Sequence, residues 1–249
     1  MKDWRFHLGF GPQIETYAPT DFTIRSPAID ATFKNTRFNP RPLMNMYALW
    51  NRQPKDWIRF VDEPTNHFFF ETRYKEQWAF GVEVFHPKIV LGSDSEGPAN
   101  HDVHAKGRIG DEKVDHRVDL NETFELLQLT KGLMSYGLFA DRIQPIVSGR
   151  AGALNLRLGA GASLYTGFAR AIYKDPHTGE RKDEENKLSV IGGNIMLRSA
   201  IEYVVPGGHV TVRANFDATF GGLDYALMGG RATQAVQALR GGLSLSAGF

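Results

Sequence analysis

The chain has 249 residues, 42% of them hydrophobic, with 29 basic and 28 acidic residues for a formal net charge of +1, and no cysteine. Near-neutrality argues against general nucleic-acid binding, which needs a basic excess to release counterions, and the lack of cysteine excludes a disulfide scaffold, a thiolate zinc site and a cysteine nucleophile. No apolar run reaches the roughly 18–20 residues of a membrane-spanning helix, but a transmembrane β-barrel stays open because its apolar residues alternate.

Met1-Lys2-Asp3 leads straight into an alternating segment, with no apolar signal core. The expectation is either a cytoplasmic protein or one whose signal peptide has been removed. From there the dominant period is two. Trp4, Phe6, Leu8 and Phe10 fall on one face, with Arg5, His7, Gly9 and Gly11 on the other. Ile29, Ala31 and Phe33 oppose Asp30, Thr32 and Lys34, and Phe68, Phe70 and Tyr74 oppose Glu71 and Arg73. Trp78, Phe80, Val82 and Val84 stand opposite Ala79, Gly81 and Glu83. The pattern lengthens towards the C-terminus, through Leu154 to Ser163, Val210 to Phe220 and Gly242 to Phe249. Strict alternation of this length predicts strands with one apolar and one polar face. The best helical signal, Leu43 to Asn51 between prolines, predicts a loop with one or two helical turns.

Tyr74-Lys75-Glu76-Gln77, Pro206-Gly207-Gly208 and Ser26-Pro27-Ala28 read as tight turns. Asn35 to Asn66, Lys88 to Glu122, Asp175 to Glu185 and Leu223 to Thr233 read as long polar connections. Strands placed alternately down and up put the three turns at one end and the four long stretches at the other, as in outer-membrane barrels. The polar face carries small residues such as Gly159, Gly161, Ser163 and Ser244, suited to a narrow lumen. Its charges are of both signs: Arg5, Glu71, Arg73, Glu83, Arg157, Arg198, Glu202, Arg213 and Asp217, with His7 beside them. These residues are expected to form a lumen network. Aromatics mark strand ends on the apolar face, at Trp4, Tyr74, Trp78, Tyr203, Phe220 and Phe249, as in an interfacial girdle. The reading is an all-β, closed, antiparallel up-and-down transmembrane barrel spanning residues 1–249 as one domain. About ten strands are expected (range 8–12), with Trp4–Ile14, Asp21–Arg25 and Ile29–Thr36 as the first three. Eight follow if part of that region does not span.

The segment Gly241 to Phe249 resembles the terminal strand of Gram-negative outer-membrane β-barrel proteins, which ends in an aromatic residue with alternating apolar residues before it. The resemblance implies that Leu243, Leu245 and Phe249 form a signal read by the barrel assembly machinery. A second resemblance, to poorly characterised small outer-membrane barrels of about 250 residues, rests on four segments. These are Asp21 to Ile24, Ile29 to Phe33 with Pro40-Arg41-Pro42, Trp78 to Lys88, and Gly229 to Thr233. The related pattern has a histidine and a lysine where His86 and Lys88 stand. It has a second histidine in the stretch matching Leu127 to Met134, where this chain has none.

For chemistry, His86 ends an up-going strand in phase with the apolar face, near the level of outer-leaflet head groups. Ser93 and Ser95 follow in a loop, and nothing resembles a nucleophile elbow. His101 and His104 form the one histidine pair suggestive of a metal, but a polar loop favours solvated histidines. No cofactor and no nucleic-acid partner is expected. The functional expectation is a monomeric barrel in the bacterial outer membrane with a plugged polar lumen and long surface loops. Those loops would contact lipopolysaccharide, an envelope protein or an external ligand. The rivals are a lipid-remodelling enzyme using His86, a small channel, and a soluble lipocalin-like binder with its apolar face inside.

Overall fold

The computed structural model describes residues 4–38, 65–87, 89–91, 100, 102–129 and 133–249. The expected helical turns at Leu43 to Asn51, and His101, Ser93 and Ser95, lie outside the described residues. From the turn end of the barrel the chain climbs as β1 (Trp4–Tyr17), then leaves the ring for β2 (Thr20–Arg25) and β3 (Ile29–Thr36). It descends as β4 (Thr65–Tyr74), rises as β5 (Trp78–Phe85), and leaves again for β6 (Val90–Leu91), β7 (Val103–Ile109), β8 (Glu112–Val118) and β9 (Phe124–Gln128). It descends as β10 (Met134–Gly149) and rises as β11 (Gly152–Gly167), then forms β12 (Arg170–Lys174) and β13 (Arg181–Glu185) above the ring. The last three strands are β14 (Ser189–Val204), β15 (Val210–Leu227) and β16 (Gly230–Gly248).

The ring runs β1-β4-β5-β10-β11-β14-β15-β16, all antiparallel, and closes by β16 on β1. It therefore has eight strands, at the lower end of the expected range and not ten. β2 and β3 keep the period of two but do not span. β2 pairs only with the top of β16, from Arg231↔Arg25 to Gln234↔Phe22, and β3 and then β7 and β8 extend that sheet beyond the ring. Closure leaves no free edge in the membrane, where every backbone N–H and C=O needs a partner.

Two turn assignments change. Ser26-Pro27-Ala28 lies at the far tip of the extension, where the Ser26 N–H donates to Ile29 O at 2.8 Å. The third short turn at the turn end is instead Arg150-Ala151, between β10 and β11. Leu223 to Thr233 is not a long connection. β15 and β16 stay paired to Leu227↔Gly230, and Met228 and Gly229 make a two-residue turn with φ of 54° and 70°. Such a turn matches the twist of its flanking strands. The polarity there belongs to the outer face of a long hairpin: Arg231 Nε donates to Asp224 Oδ1 at 2.9 Å.

The burial pattern inverts along the barrel axis. In the ring, apolar side chains point out: Phe6, Leu8, Phe10, Leu138 (66% exposed), Leu164, Leu197, Phe216 and Leu239 form a belt. The lipocalin-like rival requires the opposite orientation and is overturned. Above the ring the apolar residues turn inward. Phe22, Ile24, Ile29, Ala31 and Phe33 pack with Phe124, Leu127, Tyr173, Leu223, Tyr225 and Val236 in one core. Its two layers are the extension of the main sheet and a second sheet, β13-β12-β9-β6. Phe22 meets Phe33, Phe38 and Phe124 at ring-centroid distances of 6.1, 5.7 and 6.4 Å. Of the stretches read as polar loops, Asn35 to Asn66 lies mostly outside the described residues, and Lys88 to Glu122 and Asp175 to Glu185 supply β6, β7, β8 and β13 to a β head that shares an apolar core with β2, β3, β9 and β12. Its edge strand β13 is Arg-Lys-Asp-Glu-Glu, and such charge discourages edge-to-edge pairing.

Candidate functional site: the lumen ion cluster

Eight strands leave an interior just wide enough for side chains to fill. The inward positions of β4, β11, β14 and β15 supply the filling. Glu71 and Glu202 sit at its centre, and both contact the same three guanidiniums. Arg73 donates through Nη1 and Nη2 to Glu202 at 3.0 and 2.7 Å, and through Nε to Glu71 at 2.9 Å. Arg157 donates to Glu71 Oε2 at 2.9 Å and to Glu202 Oε2 at 3.0 Å. Arg213 donates to Glu71 Oε1 at 3.0 Å and to Glu202 Oε2 at 3.1 Å. Asn155 donates to Glu202 from the side, at 3.3 Å.

A second tier lies nearer the head. Asp141 accepts from Arg157 at 2.7 Å and from Arg198 at 3.2 Å, and Arg198 also pairs with Glu83. His67 Nε2 lies 3.0 Å from Glu83 Oε2, and Gln13 Nε2 lies 2.9 Å from His67 Nδ1. Arg240 donates to Glu15 at 2.8 Å, and the Tyr17 hydroxyl donates to the same carboxylate. Three guanidiniums lie over inward-facing rings: Arg213 on Phe69 at 4.7 Å, Arg198 on Phe139 at 4.1 Å and Arg240 on Phe85 at 4.3 Å. The gap bounded by Asp141, Arg157, Arg198 and Asp217 has no room for a water molecule. Up the axis the interior passes from dense charge through mixed polar groups to the apolar head core.

Of the residues expected in the network, Glu71, Arg73, Glu83, Arg157, Arg198, Glu202 and Arg213 are gathered there by direct ion pairs. Asp217 is buried between register neighbours Arg198 and Arg240. His7 also faces the lumen, against Gly248, but its ring nitrogens have no hydrogen-bond partner among the described residues. Arg5 does not belong to the cluster. It is exposed at the turn-end mouth and lies 3.3 Å from Glu76, because it is the first inward position of β1.

Sequence reasoning missed Glu15, His67, Asp141 and Arg240, and the inward aromatics Phe69, Phe85 and Phe139. Phase was the available signal. Glu15 continues Gly11 and Gln13, Asp141 continues Gly137, and Arg240 precedes Gly242 and Ser244 on one face.

The other candidates lie apart. His86 is half-buried immediately past β5, at the junction of barrel and head. His104 is on the outer face of the head, with Nε2 2.9 Å from Asp115 Oδ1. Among the described residues no group of three or more His, Asp or Glu is gathered as for a metal ion. Leu243 and Leu245 face outward on β16, and Phe249, just past its end, is exposed as well. Phe249 exchanges backbone hydrogen bonds with Phe6, at 3.0 and 3.3 Å, at the seam where the ring closes.

No protein-family model and no curated protein matches the chain. Among solved structures it is similar to Ail, the attachment invasion locus protein of Yersinia pestis, with 10% identity, 100% of both chains covered and a TM-score of 0.37. It is similar to Neisserial surface protein A at 10% identity, with 98% of this chain and 96% of that one covered and a TM-score of 0.39. For the outer membrane protein AlkL the figures are 9% identity, 99% and 90% coverage, and a TM-score of 0.40. A shared barrel does not imply a shared activity. A closed antiparallel ring with an apolar outer belt and a polar interior is the form in which proteins cross the bacterial outer membrane, and by that architecture this chain is an outer-membrane β-barrel.

Proposed function

We propose that the chain is a surface-binding outer-membrane protein whose barrel is a rigid, non-conducting support and whose activity lies in the extracellular head. One observation carries this reading: an apolar-cored β head stands on a ring whose interior is packed with hydrogen-bonded ion pairs. A conduit needs a hydrated path, and here the guanidiniums and carboxylates occupy the axis. A head with its own core holds its outer face in one shape, which a set of mobile loops does not. Its ligands in this reading are lipopolysaccharide, an envelope protein or an external molecule. Leu243, Leu245 and Phe249 serve as the signal to the barrel assembly machinery.

The test has two arms. Planar bilayers holding the refolded full chain are expected to show no single-channel steps. Cells displaying the chain are expected to bind lipopolysaccharide-coated or glycan-coated surfaces, and to lose that binding when external protease shaves the head. Regular conductance steps overturn the non-conducting support. Binding unchanged after shaving overturns the role of the head.

A further inference from the structure

β3 and β7 pair only from Ile29↔Ile109 to Phe33↔Ala105. Past Phe33 the strand parts from β7 while staying paired with β2 as far as Thr36, and Asn35 takes a left-handed φ of 53°. The divergence opens a pocket of about 540 Å³ on the outer face of the head. Lys34 and Arg37 line it from one side, Asp102, His104 and Arg117 from the other, with Asn100 at its base. Only Pro19 and Val103 in the lining are apolar, so the complementary ligand presents polar surface. The volume suits a small molecule of one or two sugar rings.

The charges in this pocket are unequally committed. Lys34 pairs with Asp21, Arg117 with Asp102 and His104 with Asp115, all at exposed sites where such pairs are weak. The Arg37 guanidinium has no ion-pair partner among the described residues. Its backbone, however, is held firmly. Asn100, 6% exposed, accepts from the Arg37 N–H and donates to the Arg37 carbonyl, both at 2.9 Å. An uncommitted guanidinium thus leaves a fixed peptide beside a second guanidinium, an ammonium and an imidazole, with one carboxylate in the lining.

We infer that this pocket binds a saccharide bearing a phosphate or sulfate group, with Arg37 taking the anion and the Asn35 amide beside the sugar, while Asn100 holds the Arg37 peptide in place. The inference rests on the surface-binding reading and gives it a ligand class. The same chemistry has two sources: the phosphorylated sugar of a membrane glycolipid, or a charged polysaccharide from outside.

The experiment uses the full chain in nanodiscs. The probes are a glucosamine disaccharide with one phosphate, its sulfated analogue and the uncharged disaccharide, with binding followed by calorimetry. Both charged probes are expected to bind, to weaken as salt rises, and to exceed the uncharged probe at least tenfold. Arg37→Gln is expected to lower affinity roughly tenfold, as loss of a charge-assisted contact does. Asn100→Ala keeps every charge but frees the Arg37 peptide, and is expected to weaken binding less. A heat-modifiable gel band for both variants shows that the barrel is intact. Discs whose bilayer carries the same phosphodisaccharide as a lipid headgroup identify the source: competition with the free probe points to the protein's own membrane, and its absence to an external polysaccharide. Equal binding by Arg37→Gln and the parent, or equal binding of charged and uncharged probes, overturns the inference. If that happens while head shaving still abolishes cell-surface binding, the pocket falls and the surface-binding reading stands. If Arg37→Gln loses the probe but shaving has no effect on cell-surface binding, the pocket stands and that reading falls.

Discussion

Arg73 on β4 and Glu202 on β14 meet across the lumen through two hydrogen bonds, of 3.0 and 2.7 Å, although 129 residues separate them in sequence and their strands are not neighbours in the ring. The pair ties opposite walls of the barrel together. Glu202 also receives Arg157 and Arg213, so its carboxylate balances three buried cations. Glu202→Ala leaves those guanidiniums to share Glu71 and is expected to destabilise the barrel by about 3–5 kcal/mol, the range for breaking a buried pair from one side. Arg5→Ala, at the exposed mouth, is expected to cost less than about 0.5 kcal/mol. Urea unfolding in phospholipid vesicles checks both, and equal midpoints for the two variants would contradict the cluster's role.

Leu158, near the middle of β11, points outward and is 53% exposed on the surface of the ring. An arginine there must place its charge against hydrocarbon. Leu158→Arg is expected to lose about 2–4 kcal/mol in vesicles, the cost of a cation near the bilayer midplane. The same unfolding titration reads it, and a neutral result would place that face away from lipid.

The head and the ring use different cohesive forces, so they should fail separately. Phe22 packs against Phe33, Phe38 and Phe124 and is fully buried. Phe22→Ala is expected to cost the head about 3–5 kcal/mol through the cavity it leaves. External protease should then cut the head faster, while the heat-modifiable band of the barrel persists. Loss of the band together with the head would mean that the two form one cooperative unit.

Asp175, at the tip of the β12–β13 hairpin, organises that turn. The Lys182 ammonium and then the backbone N–H of His177 hold its carboxyl below the usual carboxylate range. A depressed folded pKa stabilises the hairpin above the ordinary carboxylate range, and the stabilisation disappears as pH falls through the folded value. Exchange of the Gly179 amide, which donates to Asp175 O at 2.7 Å, is expected to accelerate below about pH 4 after correction for intrinsic rates. Asp175→Asn should exchange fast at every pH, and an unchanged pH profile in that variant would exclude Asp175 as the titrating group.

The period of two was enough to establish strands with opposed faces, the outward belt of Phe6, Leu8, Phe10, Leu158 and Leu243, and the inward phase of Glu71, Arg157, Glu202 and Arg213. Alternation is a property of the pleat, and each strand carries it alone. The medium on either side of a strand is not such a property. Ile29, Ala31 and Phe33 alternate as Leu154, Leu156 and Leu158 do, yet the first set faces a protein core and the second faces outward. The difference lies in partners far along the chain, Phe124, Leu127 and Tyr173, which cover one face of the extension and cover nothing on the ring. For that reason the strand count and the existence of the head were decided only by the tertiary structure. The lumen follows the same rule. Phase places a charge inside the barrel, but whether Arg73 meets Glu202 depends on the register summed around the strands between them. Arg5, in the same phase as His7, ends at the mouth because its strand begins there.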